Sequence, residues 1–235
     1  MASVDLHQRV PPPLRSGLVL TRATAAQIRE RSSGAITRPI WAAGDPELRR
    51  GGLFDPDVFG PGWSDPTPEV DRERVEGTVD TFVRDVGREV YGHIELPVPV
   101  SHPIAGDPLE VIAVIPPSLR PLVYLQHARY SASDLNDLYQ RVIELAAKLR
   151  RIKTFDPALA ARGAPDLARA IEHLFLNDSP EPARTATGRP MTALAHHLQI
   201  SGRAAVRALS WGLGYIATWS AGFGPGTTGS SPTTT

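Results

Sequence analysis

From Ser133 onward, Leu135, Leu138, Val142, Leu145, Leu149 and Ile152 step by 3, 4, 3, 4 and 3. This is a heptad seam about 20 residues long, and only a helix brings such a series to one face. Ser131 or Ser133 can cap its start. Arg150, Arg151 and Lys153 crowd its C-terminal end, where the helix dipole favours cations. After a turn around Gly163, Ala164 and Pro165, a second apolar face follows with Leu167, Ala170, Ile171, Leu174 and Phe175. Two amphipathic helices on a short Pro/Gly connection predict an antiparallel helical hairpin, coiled-coil-like, over 134–176.

Elsewhere the chain is interrupted often. Gly 20 and Pro 23 make up 43 of 235 residues, well above the average share of about 12%, so the remaining elements should be short. Thr24 and Gln27 form a capping-box pattern that opens a helix through Arg31, with Gly34 as its stop. Residues 44–70 read as loop. Residues 92–96 and 109–115 read as strands, the second ended by Pro116 and Pro117. A less regular helix is expected from about Met191 to Leu209, and 211–220 is apolar with two tryptophans. Residues 1–16 and 221–235 have little to bury and read as disordered tails. The fold class is α-rich mixed α/β: a short-strand N-terminal region, the helical hairpin, then a further helix.

Lys and Arg total 25 against 25 Asp and Glu, so no global field draws in nucleic acid or an anionic surface. The chain has no cysteine, which excludes disulfides, thiolate nucleophiles and every cysteine-held zinc or iron–sulfur centre. No run reaches the roughly 18 apolar residues of a membrane span, and the start lacks a signal-peptide pattern, so the chain reads as cytoplasmic without membrane contact. There is no GxSxG, P-loop, HExxH or strand-to-helix GxGxxG. Asp134 and Asp137 suit the N-terminus of the long helix better than a shared cation. His93 and Glu95 share one face of a strand without further residues at ligand spacing, and read as satisfied structural groups. His196 and His197 are adjacent, which points their rings apart on a helix. Local chemistry therefore implies a non-catalytic module with no metal and no cofactor.

Several stretches resemble the N-terminal part of the β′ subunit of bacterial RNA polymerase. They are Gly17 to Arg29 (GLVLTRATAAQIR), Gly34 to Pro39 (GAITRP), Gly52 to Phe54 (GLF), Val58 to Pro61 (VFGP), Gly92 to Leu96 (GHIEL), Ile115 to Pro121 (IPPSLRP), Ala128 to Tyr130 (ARY) and Ser133 to Tyr139 (SDLNDLY). The resemblance implies a clamp-like region over 17–115, a lid-like segment over 116–133 and a clamp-helix-like coiled coil over 134–176. A rudder- and switch-like segment over 177–220 follows, with Thr187, Gly188, Arg189 and Pro190. In that family the lid lies beside the RNA–DNA hybrid, and the clamp helices are the main docking site for the σ factor.

The chain also departs from the family. Residues 62–91 lack the four cysteines of the family's zinc ribbon, the stretch between GHIEL and IPPSLRP is cut to 97–114, and the metal-holding NADFDGD motif is absent. Where the family's first clamp helix carries Asn-Arg-Asn-Asn, this chain has Glu144, Leu145, Ala146 and Ala147. The resemblance nominates Asn136, Tyr139, Gln140, Arg141, Glu144, Leu145 and Lys148 for binding a σ-like factor or a polymerase subunit. Arg120, Arg129, Arg150, Arg151, Lys153, Arg189, Arg203 and Arg207 are candidates for weak contact with DNA or RNA. The resulting expectation is a clamp module that acts by binding; the alternative is one piece of a split RNA polymerase whose catalytic barrel is on another chain.

Overall fold

The first and last described strands pair with each other. The computed structural model describes residues 18–39, 50–60, 90–125, 129–200 and 203–219. The expected tails and most of the cysteine-free stretch 62–91 lie outside these residues. Strand β1 (Leu18–Arg22) runs antiparallel to β7 (Tyr215–Trp219), from Leu18 opposite Trp219 to Arg22 opposite Tyr215. Within the apolar stretch 211–220, β7 supplies half of a two-stranded ribbon. Its first residue follows Gly214, whose φ of +78° suits glycine, and whose carbonyl accepts from Arg22 Nη1 at 2.7 Å.

Helix α1 (Ala25–Arg31) begins as its sequence predicts: Gln27 N–H donates to Thr24 Oγ1 at 3.2 Å and Thr24 N–H to Gln27 Oε1 at 2.9 Å. It runs through Arg31, as expected, but glycine is not what stops it. Ser32 is already extended, and Gly34 lies within β2 (Ser32–Ala35) rather than stopping the helix. A Cβ on Gly34 would sit 2.8 Å from Val58 Cγ2, so close packing explains the glycine. The Pro-rich loop contains one helical turn, α2 (Pro56–Phe59), capped where Asp55 Oδ1 accepts from Asp57 N–H at 2.8 Å. Strand β3 (Tyr91–Ser101) is longer than its sequence suggests, whereas β4 (Pro108–Val114) has the expected length one residue earlier; the two form an antiparallel hairpin, with β2 parallel on the far side of β3. After a single 3₁₀ turn at Pro117–Leu119, a second hairpin follows, of β5 (Leu122–Leu125) and β6 (Arg129–Ala132).

Helix α3 (Asp134–Phe155) carries the heptad seam, and the short α4 (Pro157–Arg162) and α5 (Ala164–Phe175) follow. A Cβ on Gly163 would collide with the Leu149 side chain, so this glycine lets α5 start tight against α3. Leu135, Leu138, Val142 and Leu149 are buried as the seam requires, while Leu145 and Ile152 are half-buried. The sequence reading missed a second buried face of α3, formed by Asn136, Tyr139, Ile143 and Ala146. Helices α3 and α5 both pack on β3, so the helix pair forms part of the main core. Helices α6 (Leu194–Ile200) and α7 (Arg203–Gly212) complete the mixed α/β chain.

Arg120 holds the start of α3 in place. It is fully buried and has no carboxylate partner among the described residues. Nε donates to Ile115 O at 2.9 Å, Nη1 to Asn136 Oδ1 at 3.0 Å, and Nη2 to Leu53 O. Asn136 Nδ2 donates back to Arg120 O at 3.0 Å, and the guanidinium lies 4.9 Å and 5.1 Å from the ring centroids of Phe54 and Phe59. Next to it, Tyr139 OH donates to Ala113 O at 3.1 Å and accepts from Ile115 N–H at 3.4 Å. Replacing Arg120 with Met leaves three acceptors unpaired, each costing about 1–3 kcal/mol. Urea unfolding of Arg120→Met should therefore show a loss of at least about 3 kcal/mol. Asn136→Ala should cost less, and the double variant should fall short of the sum.

A second pin is His102, buried in the turn between β3 and β4. Its Nε2–H donates to Leu213 O at 2.9 Å, and Nδ1 accepts from Ile104 and Ala105 N–H, both at 3.1 Å. The neutral ring is the folded form, because a proton on Nδ1 would displace two donors. Burial first, and then the Arg22 charge, lower its pKa from 6.5 to about 4. Between these values the unfolded chain binds more protons than the folded one, so stability falls as pH drops from 6.5 towards 4. The contribution at neutral pH is about 3 kcal/mol. His93, His173 and His197 are also lowered by burial and act in the same direction. Thermal melts of His102→Gln should therefore show a shallower decline between pH 6.5 and 4 than the parent chain, but not a flat one.

Candidate functional site

The stripe of α3 that faces α5 without being covered by it carries Arg141, Glu144, Leu145 and Lys148. From α5 come Asp166, Arg169, Ala170 and His173. Together these residues line a groove of about 430 Å³. The spacing explains why they meet: steps of three and four bring side chains to one helix face, and the close start at Gly163 sets α5 alongside.

The floor of the groove is apolar, made of half-buried Leu145 and buried Ala170. Its walls carry charge. Arg141, Lys148 and Arg169 have no ion pair within 4 Å among the described residues. Glu144 Oε1 accepts from the Gln140 side-chain amide at 2.8 Å. Asp166 lies in the first turn of α5, where the helix dipole stabilises a carboxylate. His173 closes one end. Its Nε2 lies 3.1 Å from Glu181 O, and burial, followed by the charges of Arg141 and Arg169, holds its pKa below the usual value despite that hydrogen bond, so it is neutral at pH 7. Three cations face two carboxylates around an aliphatic floor.

Of the residues nominated from sequence for partner binding, Arg141, Glu144, Leu145 and Lys148 line this groove and Gln140 borders it. Asn136 and Tyr139 do not: both are buried and are engaged with Arg120 and the end of β4. The cations nominated for nucleic acid are scattered. Arg120 is interior. Arg150 Nη2 donates to Glu95 O at 2.9 Å and Lys153 Nζ to Pro97 O at 2.6 Å, which ties the end of α3 to β3. Arg189 Nη2 donates to both Asp134 carboxylate oxygens at 2.9 Å. Arg151 and Arg207 are exposed, and the side chains of Arg129 and Arg203 lie outside the described residues.

His93 and Glu95 do come together, with Nε2 3.4 Å from Oε1. Glu95 also accepts from Arg29 Nε at 2.6 Å and Nη2 at 2.9 Å, and that pair holds its carboxyl below the usual range. His93 Nδ1 and the Ser32 hydroxyl are 2.7 Å apart. The cluster therefore clasps α1, β2 and β3 together. Among the described residues no group of three or more His, Asp or Glu side chains is placed to hold a metal. No described helix is long and apolar enough to cross a membrane.

Two organising residues had little or no sequence signal. Asp134, read only as a helix-terminus charge, also accepts from Thr192 N–H at 2.8 Å and so fastens the 184–192 turn to α3. Asn177, at φ +50° just past α5, donates to Ala183 O at 3.1 Å and Met191 O at 2.7 Å and accepts from Ala183 N–H at 2.7 Å. An Asn directly after an amphipathic helix was its only cue. Asp134→Ala should cost about 1–2 kcal/mol. Hydrogen exchange should then show the Thr192 amide losing protection while the amides in the middle of α3 keep theirs.

No protein-family model matches the chain. Curated proteins similar to it carry the name "DNA-directed RNA polymerase subunit beta'". That of Treponema pallidum (strain Nichols) is 40% identical over 94 residues, covering 39% of this chain and 7% of the relative. Those of Aquifex pyrophilus and Dichelobacter nodosus (strain VCS1703A) are each 42% identical, over 93 and 92 residues, covering 39% and 37% of this chain. The chain thus contains a β′-related region, and it spans about 6–7% of the length of the curated relatives it matches.

Proposed function

We propose that this chain is a non-catalytic, β′-like clamp module of transcription that works by binding protein through the α3–α5 helix pair. The partner is a σ-like factor or an RNA polymerase subunit. The observation that carries the reading is the likeness to β′ subunits at 40–42% identity, in a chain whose long helices line an apolar-floored groove with three cations and two carboxylates. On this reading 17–115 is clamp-like, 116–133 lid-like, 134–176 the counterpart of the clamp-helix coiled coil, and 177–220 rudder- and switch-like. The sequence has no NADFDGD motif, so the module brings no catalytic magnesium site of its own.

Nucleic-acid contact is secondary on this reading. Among the nominated cations, Arg150, Lys153 and Arg189 already donate to protein acceptors. What remains is weak, independent of sequence and steeply dependent on salt.

The test is capture of partners from native cytoplasm by the tagged full chain, at low and high salt, with mass spectrometry of what stays bound. A σ-like factor or polymerase subunit should be retained at high salt. Arg141→Glu should reduce that retention at least tenfold with an unchanged melting temperature. Absence of any polymerase component at both salts, or equal retention by Arg141→Glu, overturns the reading. A catalytic β′ piece recovered in equal amount would overturn its non-catalytic part, making the chain one piece of a split enzyme.

A further inference from the structure

We propose that Glu172 and Asp178 form a proton-operated latch: a proton on Glu172 holds the 178–182 segment against the end of α5, and its loss as pH rises lets that segment lift away. The segment is built as a flap. Its two ends are pinned to each other, because Asn177 Nδ2 donates to Ala183 O at 3.1 Å and Ala183 N–H donates to Asn177 Oδ1 at 2.7 Å. Between those pins, two contacts tie the flap to α5: Asp178 N–H donates to Glu172 Oε1 at 3.3 Å, and His173 Nε2 lies 3.1 Å from Glu181 O. Pro180 and Pro182 have no N–H with which to add a third. Asp178, Pro180 and Glu181 are exposed, so the flap lifts without uncovering the core.

What sets the latch is the second oxygen of Glu172. Oε2 is buried and receives no hydrogen bond, and the buried Ser179 hydroxyl is likewise without a partner. A buried carboxylate oxygen without a donor is costly. Carrying a proton, the same oxygen becomes a donor, with the Asp178 carboxyl beside it as acceptor. Burial first, and then that carboxyl, raise the Glu172 pKa above its ordinary 4.5, while the Asp178 N–H and the Ser179 hydroxyl pull the other way. The closed flap therefore binds the proton more tightly than the open one. Closure is fully favoured below 4.5 and is lost as pH rises through the raised value. Once the proton has left, two carboxylates face each other, and lifting the flap returns both to water. The other charged groups nearby are His173, whose Nε2 is 3.6 Å from Glu172 Oε2, and Glu181 on the flap; Arg141 of α3 and Arg169 of α5 act on His173. His173 titrates in the opposite sense, but its neutral ring already supplies an N–H for Glu181 O, so the second tie does not need its charge. A divalent cation does not account for the carboxyl pair, because among the described residues no group of three or more His, Asp or Glu side chains is placed to hold one.

The test is amide hydrogen exchange of the full chain by NMR, corrected for the intrinsic rate, from about pH 5 to about pH 8. Protection of the Asp178 amide should fall about tenfold for each pH unit by which the Glu172 pKa exceeds 4.5, while the Ala183 amide, pinned by Asn177, keeps its protection. Glu172→Gln, whose amide copies the protonated carboxyl, should hold the flap closed with no pH dependence. Asp178→Asn should do the same, because its amide N–H donates to the Glu172 carboxylate; its exposed position makes it the second variant in case the change within α5 unfolds the chain. His173→Gln, which keeps a donor for Glu181 O and cannot titrate, should leave the pH dependence of the parent chain in place. A Glu172 carboxyl that titrates at or below 4.5, or Asp178 protection that does not change with pH, overturns the proposal. So does the parent's pH dependence in folded Glu172→Gln or Asp178→Asn, or its loss in His173→Gln.

Discussion

A buried guanidinium, with no carboxylate beside it among the described residues, sets the geometry of the described fold. Removing Arg120 from water carries a large desolvation cost, visible in a pKa drawn down by burial to about 9, which still leaves it charged at neutral pH. The cost is offset by placing every part of the guanidinium fork against an oriented dipole or a ring face: two backbone carbonyls, the Asn136 amide oxygen, and the faces of Phe54 and Phe59. These acceptors come from three separated stretches, the loop before α2, the end of β4 and the first turn of α3. None of the three can shift without stranding a charge, so α3 emerges from the core in one orientation. The groove inherits that orientation, because Arg141 begins only five residues after Asn136.

The opposite side of the molecule is fastened by different means. There β1 and β7 bring the two ends of the described fold together, and neutral His102 joins the β3–β4 turn to the carbonyl of Leu213 just before β7. Arg22 reaches across to Gly214 O and to Asp107, at 2.7 Å and 3.4 Å. Both pins use backbone carbonyls as acceptors. This matters in a chain so rich in proline and glycine, because segments outside ladders and helices leave carbonyls that need donors. Arg150 and Lys153 meet the same need for β3, and Asn177 for the turn after α5.

This use of donors explains what the sequence could and could not reveal. The period-3.6 pattern of α3, the Thr24–Gln27 box and the β-branched run into Pro116 are local signals, and each corresponds to an element. The resemblance also led to Arg141, Glu144, Leu145 and Lys148, which share a helix face by spacing alone. By contrast, Arg120 and Asn136 looked like surface groups, since an arginine between prolines gives no hint that carbonyls 5 and 67 positions away will surround it. Tyr139 was invisible as a core residue because it lies one position off the heptad seam, on the face that α3 turns to the sheet. Strand β7 was missed for a related reason: its partner lies nearly 200 residues earlier, and pairing at that separation leaves no periodic trace.

The cations of this chain are nearly all arginine, 23 against two lysines, so bare composition suggests many sites for an anion. The fold narrows that number by assigning donors inward. Arg120, Arg150, Lys153 and Arg189 are engaged with carbonyls or with Asp134, whereas Arg141, Lys148 and Arg169 are left around one groove. A surface cation free of internal partners loses little by meeting a carboxylate, because it has no native hydrogen bond to give up. One that already satisfies a backbone carbonyl must first break that bond and leave the acceptor unpaired. The groove is therefore one place where an incoming carboxylate displaces no donor already given to a carbonyl, while Glu144 and Asp166 in its walls and Asp137 beside Arg141 limit the negative charge it can take.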